Sequence, residues 1–202
     1  MKIPLFSYID EAIELKHALR FEIEEAQQAI DSFFQQSFGS LDSFVNYTSR
    51  VKADDSLKEK IIRQNLLHTV SAEQLFGHIS DLIGCRIECR FIRDEEQIFL
   101  TLFTLFPTNR SDGFYQCDRD PRIELRLDEP QPKNQKNGYR SYRIDGHFLG
   151  ERVLNFELQI KSIVNVFWNE IDHKILYKNY NYVLTEKFVH DIMDSIMGDL
   201  VI

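Results

Sequence analysis

The sequence predicts an α+β fold, a mixed sheet with helical cover. Three observations carry it. Apolar residues recur at three- and four-residue steps through the N-terminal segment, the period of an amphipathic helix. From Gly84 onward, apolar and polar residues alternate in short runs, the period of strands. Helical patterns precede, interrupt and follow those runs, and that order suits two packed layers around one core.

Taken in order, residues 7–36 read as one long helix. Ala12, Leu15, Leu19, Ile23, Ala26, Ile30 and Phe33 line one side, and Glu11, Glu14, Glu22 and Glu25 the other. About 30 helical residues span roughly 45 Å, so the helix either packs along its own domain or offers a surface to a partner or a second copy. Residues 37–53, with Gly39 and several Ser, read as a loop with room for a short extended piece. Asp54, Asp55 and Ser56 form an N-cap cluster for a helix to about Leu67, and Ser71 opens another over 71–82. Cys85, Ile87, Cys89 and Phe91 then alternate with Arg86, Glu88, Arg90 and Ile92 as a strand.

Residues 95–106 (EEQIFLTLFTLF) read as a helix ending before Pro107, although periodicity alone does not separate it from a buried strand. A polar stretch over 107–121 leads to a strand at 123–127, and 128–138 (DEPQPKNQKNG) is a loop by every breaker signal. Strands at 140–149 and 152–162 meet at a Gly150–Glu151 turn, and helices at 163–178 and 185–198 follow. With 202 residues and no internal repeat or low-complexity linker, one domain is expected.

Composition narrows the function. The chain is 43% apolar and 28% charged, as soluble globular proteins are, and no apolar run approaches the roughly 18 residues of a membrane span. The N-terminus turns acidic within ten residues and lacks the pattern of a secretory signal. Cys85, Cys89 and Cys117 form no CxxC and leave one thiol over, which fits a reducing cytoplasm and small core residues. The formal net charge of −8 argues against an extended nucleic-acid surface but leaves room for a local basic pocket.

Chemistry concentrates in three segments. In Ser49–Lys60, Arg50, Lys52, Ser56 and Lys60 leave the pattern R-x-K-x3-S-x3-K. Arg50 and Lys52 share one side of an extended piece, and Ser56 and Lys60 lie one helical turn apart near a helix start, where free N–H groups favour anions. The pattern reads either as a triphosphate cradle or as a capped helix with solvated Lys. In Asp81–Arg90, a carboxylate stands between a helix end and a strand opened by Gly84, a position that suits Mg²⁺ or an ordinary surface group. In the third, Asn137, Gly138, Tyr139 and Arg140 form a turn with a flat ring and a cation, and Glu157 follows on a strand. Glu157 shares a face with Asn155 and Gln159, a polar row that marks either a site or an exposed sheet face.

In this order and spacing the segments resemble the synthetase domain of the RelA/SpoT alarmone-synthetase family, from about Tyr47 to Lys178. The resemblance implies a nucleotidyltransferase-like mixed five-stranded sheet flanked by helices, with a core over 47–178 between an N-terminal helical region (1–40) and a C-terminal one (179–202). It implies transfer of the β,γ-pyrophosphate of ATP to the 3′-hydroxyl of GDP or GTP by a small single-domain synthetase. Arg50, Lys52, Ser56 and Lys60 would hold ATP phosphates, and Arg86 would pack on the adenine. Asp81 and Glu157 would bind Mg²⁺, with Glu157 also a general-base candidate. Asn137, Tyr139, Arg140 and Gln159 would serve the acceptor nucleotide, and Lys133 and Lys136 compete for a phosphate-binding role.

The family loop commonly ends in His after its Arg-Ser pair; Arg143 stands there in this chain. Lys161 and Ser162 replace the Arg-Thr that usually ends the Glu-x-Gln strand. These departures bear on the acceptor. Two other readings therefore stand beside the first: a toxin-like relative that modifies adenosine nucleotides or the 3′ end of tRNA, and a catalytically silent nucleotide-binding module. A cytoplasmic protein with no membrane association, able to form a homo-oligomer through its terminal helices, is expected.

Overall fold

A computed structural model describes residues 4–64, 71–110, 112–134 and 140–171. Two helices, α1 (Pro4–Ala18) and α2 (Arg20–Phe38), lead to β1 (Phe44–Val51), α3 (Asp54–Arg63), α4 (Ala72–Gly77) and β2 (Ile83–Cys89). Then come α5 (Ile92–Leu105), β3 (Thr108–Asn109), β4 (Phe114–Gln116), β5 (Ile123–Arg126) and β6 (Lys133–Asn134). The hairpin β7 (Arg140–Leu149) and β8 (Val153–Ser162) and the helix α6 (Ile163–Ile171) complete the described chain.

The α+β class is as expected, but the sheet is larger than five strands. It runs β1-β2-β8-β7-β5-β4-β3, with β6 paired to β7. The pair β2–β8 is parallel and its neighbours are antiparallel, so the sheet is mixed. β5 is the strand expected at 123–127, whereas β3, β4 and β6 are two to three residues long, too short for alternation to declare them, and β6 lies inside the expected loop.

β1 is the element the sequence reading gave only as a short extended piece within the 37–53 loop. Its eight residues, FVNYTSRV, pair with β2, yet Tyr47 is its one buried side chain. Without a β-partner beyond it among the described residues, β1 carries Asn46, Thr48, Ser49 and Arg50 and shows no apolar period.

The long helix is broken at Leu19, which adopts φ −88°, ψ 12°. The expected apolar side is nevertheless buried as read, from Ala12 to Phe33, with Leu15 packed against its edge. The break lets α1 turn toward α3 and α4 while α2 lies on β1. Lys16 and His17, in the last turn of α1, reach Asp54 in the first turn of α3 at 2.6 and 2.8 Å. The N-cap cluster is therefore corrected: Ala53 is the cap, Asp54 is the first helical residue, and no side-chain cap bond forms. Ser71 does cap α4, accepting the Gln74 N–H at 3.2 Å, but that helix ends at Gly77 rather than 82. The expected helix at 185–198 and the continuation of α6 toward 178 lie outside the described residues.

The sheet has one apolar and one polar face. Phe34 of α2 stacks on Tyr47 at 5.9 Å between ring centroids and meets Phe156 edge-on at 6.4 Å. Ile98 and Leu102 of α5 are buried in the same core. Gly146 is required there, because an added Cβ would meet the Phe156 ring at 2.3 Å. Glu95, also on α5, accepts the Ser162 N–H at 2.6 Å and the Asn165 amide at 2.7 Å, which ties α5 to the β8–α6 junction.

Candidate functional site

On the polar face, register alone assembles two rows across four strands. Arg50, Gly84, Glu157 and Asp145 are successive partners on β1, β2, β8 and β7, and Thr48, Arg86, Gln159 and Arg143 form the next row. A cavity of about 220 Å³ opens over these rows, walled by Arg50, Lys52, Asp81, Arg86, Glu157 and Gln159. Gly84 forms part of its floor. A Cβ there would come no nearer than 3.9 Å to Arg50, so protein packing does not demand the glycine; it leaves the space above the sheet open.

Asp81 lies in the turn between α4 and β2 rather than at a helix end. Lys52 donates to its Oδ2 and Lys60 to its Oδ1, both at 2.7 Å. Lys52 stands just past β1, its N–H held by the Leu82 carbonyl at 2.8 Å, and Lys60 reaches in from α3. Burial pushes the Asp81 carboxyl up, but the two ammonium donors outweigh it and hold the pKa below the usual range. Of the phosphate-segment residues, Arg50, Lys52 and Lys60 converge here. Ser56 is exposed one turn before Lys60 and lies outside the cavity wall.

Glu157 is buried beside this pair. Arg143 donates to Glu157 Oε2 through Nε at 3.2 Å and Nη2 at 2.5 Å, and Gln159 Nε2 donates to Oε1 at 2.6 Å. Sequence reasoning marked Arg143 only as a departure from a family pattern; its partner lies across the β7–β8 hairpin, which no local motif reveals. Two buried polar atoms at the cavity, Arg86 Nε and Gln159 Oε1, have no partner among the described residues. One offers a donor and the other an acceptor to a ligand.

The acceptor-side expectations are reached only in part. Arg140 is exposed at the start of β7, and Lys133 on β6 pairs with Glu129 at 2.5 Å. Lys136, Asn137 and Tyr139 lie outside the described residues. Beyond Asp145 the polar face continues into a second cavity of about 260 Å³ that the sequence did not announce. There Arg126 lies 4.6 Å from the Phe114 ring, which stacks on His147 at 4.0 Å. Burial raises the Asp145 pKa and lowers that of His147.

The donor set suits Mg²⁺. No group of three or more His, Cys, Asp or Glu able to hold a metal occurs among the described residues. Asp81 and Glu157 supply two hard carboxylates, and Mg²⁺ ordinarily takes one or two of these and completes its shell with phosphate oxygens and water. Both carboxylates are charge-matched by Lys and Arg, which are also phosphate ligands. A phosphate–metal pair can exchange with these ion pairs without leaving an unpaired charge.

Residues 49–182 match the region found in RelA / SpoT proteins. The chain is 29% identical over 144 residues to the GTP pyrophosphokinase YwaC of Bacillus subtilis, covering 67% of this chain and 59% of that protein. It is 30% identical over 146 residues to the GTP pyrophosphokinase YjbM of the same organism, covering 69% of this chain and 59% of that protein. The match thus spans under two thirds of either relative's length. Among solved structures, the small alarmone synthetase 1 of Bacillus subtilis bound to its product pppGpp superposes with a TM-score of 0.59 at 22% identity, covering 93% of each chain. The small alarmone synthetase 2 of that organism gives 0.54 at 24% identity, covering 94% of this chain and 95% of that one. These structures share the fold, and the matched sequence places the chain in a family: it belongs to the RelA/SpoT proteins.

Proposed function

We propose that this chain is a (p)ppGpp synthetase of the GTP pyrophosphokinase type, moving the β,γ-pyrophosphate of ATP to the 3′-hydroxyl of GDP or GTP. The observation that carries this reading is the pair of charge-matched carboxylates, Asp81 and Glu157, facing one cavity with Arg50, Lys52 and Arg86. The similarity to the GTP pyrophosphokinases YwaC and YjbM and the pppGpp bound to synthetase 1 support it.

In this mechanism Lys52 and Lys60 exchange part of their hold on Asp81 for the ATP phosphates. The planar guanidinium groups of Arg50 and Arg86 are suited to stack on the adenine. Asp81 and Glu157 would hold Mg²⁺, which when bound neutralises charge developing on the phosphate oxygens. The acceptor 3′-oxygen attacks the β-phosphorus and the bond from that phosphorus to the α-phosphate oxygen breaks. AMP leaves with the electron pair, and Glu157 would take the hydroxyl proton. The work of the protein is therefore positioning and electrostatic stabilisation. On the acceptor side, Tyr139 and Arg140 would hold the guanine nucleotide, with Lys133 or Lys136 on its phosphates.

The test incubates the purified chain with γ-labelled ATP and Mg²⁺ and, in turn, GDP, GTP, ADP and tRNA, beside a Glu157→Gln control. Label on GDP or GTP that the control abolishes is expected. Label confined to ADP or tRNA, or none at all, overturns the reading.

A further inference from the structure

Glu157 is engaged at both oxygens by side chains of its own sheet. Arg143 takes Oε2 with two N–H groups and Gln159 takes Oε1. A carboxylate held this way has its charge neutralised and the lone pairs facing the guanidinium in use. For as long as the pair lasts, it is a poor metal ligand and a poor base.

The backbone of Arg143 is fixed, while its side chain has a way out. The Gln131 side chain accepts the Arg143 N–H at 3.1 Å and donates to the Arg143 carbonyl at 2.8 Å, clamping this strand position on both backbone groups. The Arg143 side chain is 43% exposed, against 7% for that of Glu157. The cation therefore stands at the rim and the carboxylate at the floor.

Its place in the sheet says which ligand reaches it. Arg50, Lys52, Lys60 and Arg86 come from β1, the residue after β1, α3 and β2, on one side of Glu157. Arg143 comes from β7 on the other side, three residues into the strand that follows segment 135–139. An anion entering from the β7 side meets Arg143 and not the donor set.

We propose that Arg143 is a positioning residue that couples the two substrates: the phosphates of the acceptor nucleotide draw its guanidinium off Glu157, and the freed carboxylate then serves the metal and the hydroxyl. The proposal rests on the pyrophosphate-transfer reading above. Arg binds phosphate through the same two-pronged geometry it uses for a carboxylate, so the move exchanges one ion pair for another. Loss of Arg143 with no incoming cation would instead strand a buried charge. Acceptor and metal binding are then linked, and the linkage is reciprocal.

The test titrates Mn²⁺, followed by electron paramagnetic resonance, into the protein bound to α,β-methylene ATP, with and without GDP. The bridging carbon blocks transfer, so binding alone is read. In the wild type GDP is expected to tighten Mn²⁺ by about 5-fold or more, the lower end of ordinary couplings between sites. In Arg143→Gln, Mn²⁺ binds without GDP about as tightly as in the wild type with it, and GDP adds little. Glu157→Gln removes the GDP effect as well. Arg143→Lys keeps a charge and loses the fork; it is expected to weaken the coupling and covers the case in which the Gln variant fails to fold. If both nucleotides bind but GDP leaves Mn²⁺ affinity unchanged in the wild type, or if the Arg143 variants keep the full coupling, the proposal is overturned. If the ATP analogue does not bind, the pyrophosphokinase reading falls, and the proposal with it.

Discussion

The two faces of β8 lie one residue apart and are held by different physics. Phe156, Leu158 and Ile160 are buried in the hydrophobic core, and Phe156 touches Phe34 of α2. Asn155, Glu157 and Gln159 alternate with them on the polar face. At Glu157 exposure does not tell the faces apart, since it is 5% exposed and Phe156 0%. Their partners do. The apolar residues meet rings and aliphatic chains that lose contacts when removed, whereas Glu157 meets the polar groups of Arg143 and Gln159. Burial on the first face serves stability; burial on the second keeps a functional group dry and charge-matched.

Substitutions on the two faces are expected to separate stability from activity. The largest effect is expected from Phe34→Ala, which empties the ring cluster of Tyr47, Phe38 and Phe156. It should cost about 3–5 kcal/mol, the range for a buried Phe, read by denaturant unfolding. Asp81→Asn should instead lower kcat by about 10²–10³, as loss of a transition-state electrostatic group does, with binding of the ATP analogue retained. A Phe34→Ala protein that stays as stable as the wild type would break the comparison.

Gly146→Ala sharpens it, because Gly146 sits on β7 between Asp145 and His147 yet its own contact is with the Phe156 ring on the apolar side. It should behave as an overpacked core residue and destabilise by about 1–3 kcal/mol. A loss of activity with unchanged unfolding would assign it to the wrong face.

The smallest effect is a pH dependence at Asp81. Its pKa is held below the usual carboxylate range by Lys52 and Lys60 against the opposing effect of burial. A carboxyl depressed by folding stabilises the native state above its unfolded pKa, and that contribution disappears as pH falls through the folded value. The melting temperature should therefore show no change from this group near neutrality and fall below about pH 4. Asp81→Asn should flatten that acid limb; an equally steep limb in the variant would show that the lysines do not set it.

Much of the architecture was legible because period and polarity are local properties. The alternation of β2, β7 and β8, the amphipathic stripe from Ala12 to Phe33 and the capping Ser71 each follow from a few neighbouring residues. β1 was legible only as a short extended piece because its position at the end of the strand order leaves one buried side chain, Tyr47, to mark it. The break at Leu19 was not legible because its cause lies in what each half packs against: α1 on α3 and α4, α2 on β1. In the site, Arg50, Lys52, Asp81, Arg86 and Glu157 could be named from motif spacing, and Arg143 could not be given its role.

The sequence by itself determined which residue types were available to the site and which side of each long element they occupy. Side-chain alternation at period two leaves little choice once a strand is long enough. Only the tertiary structure decided how the charges pair. Lys52 and Asp81 are 29 residues apart, and Arg143 and Glu157 are 14 apart. Whether such groups meet depends on strand register, which is set by the β7–β8 hairpin and by the β1–β2 and parallel β2–β8 pairings, the last two joining segments distant in the chain. A one-residue slip would turn Glu157 to the opposite face, away from Asp81 and Arg143 alike.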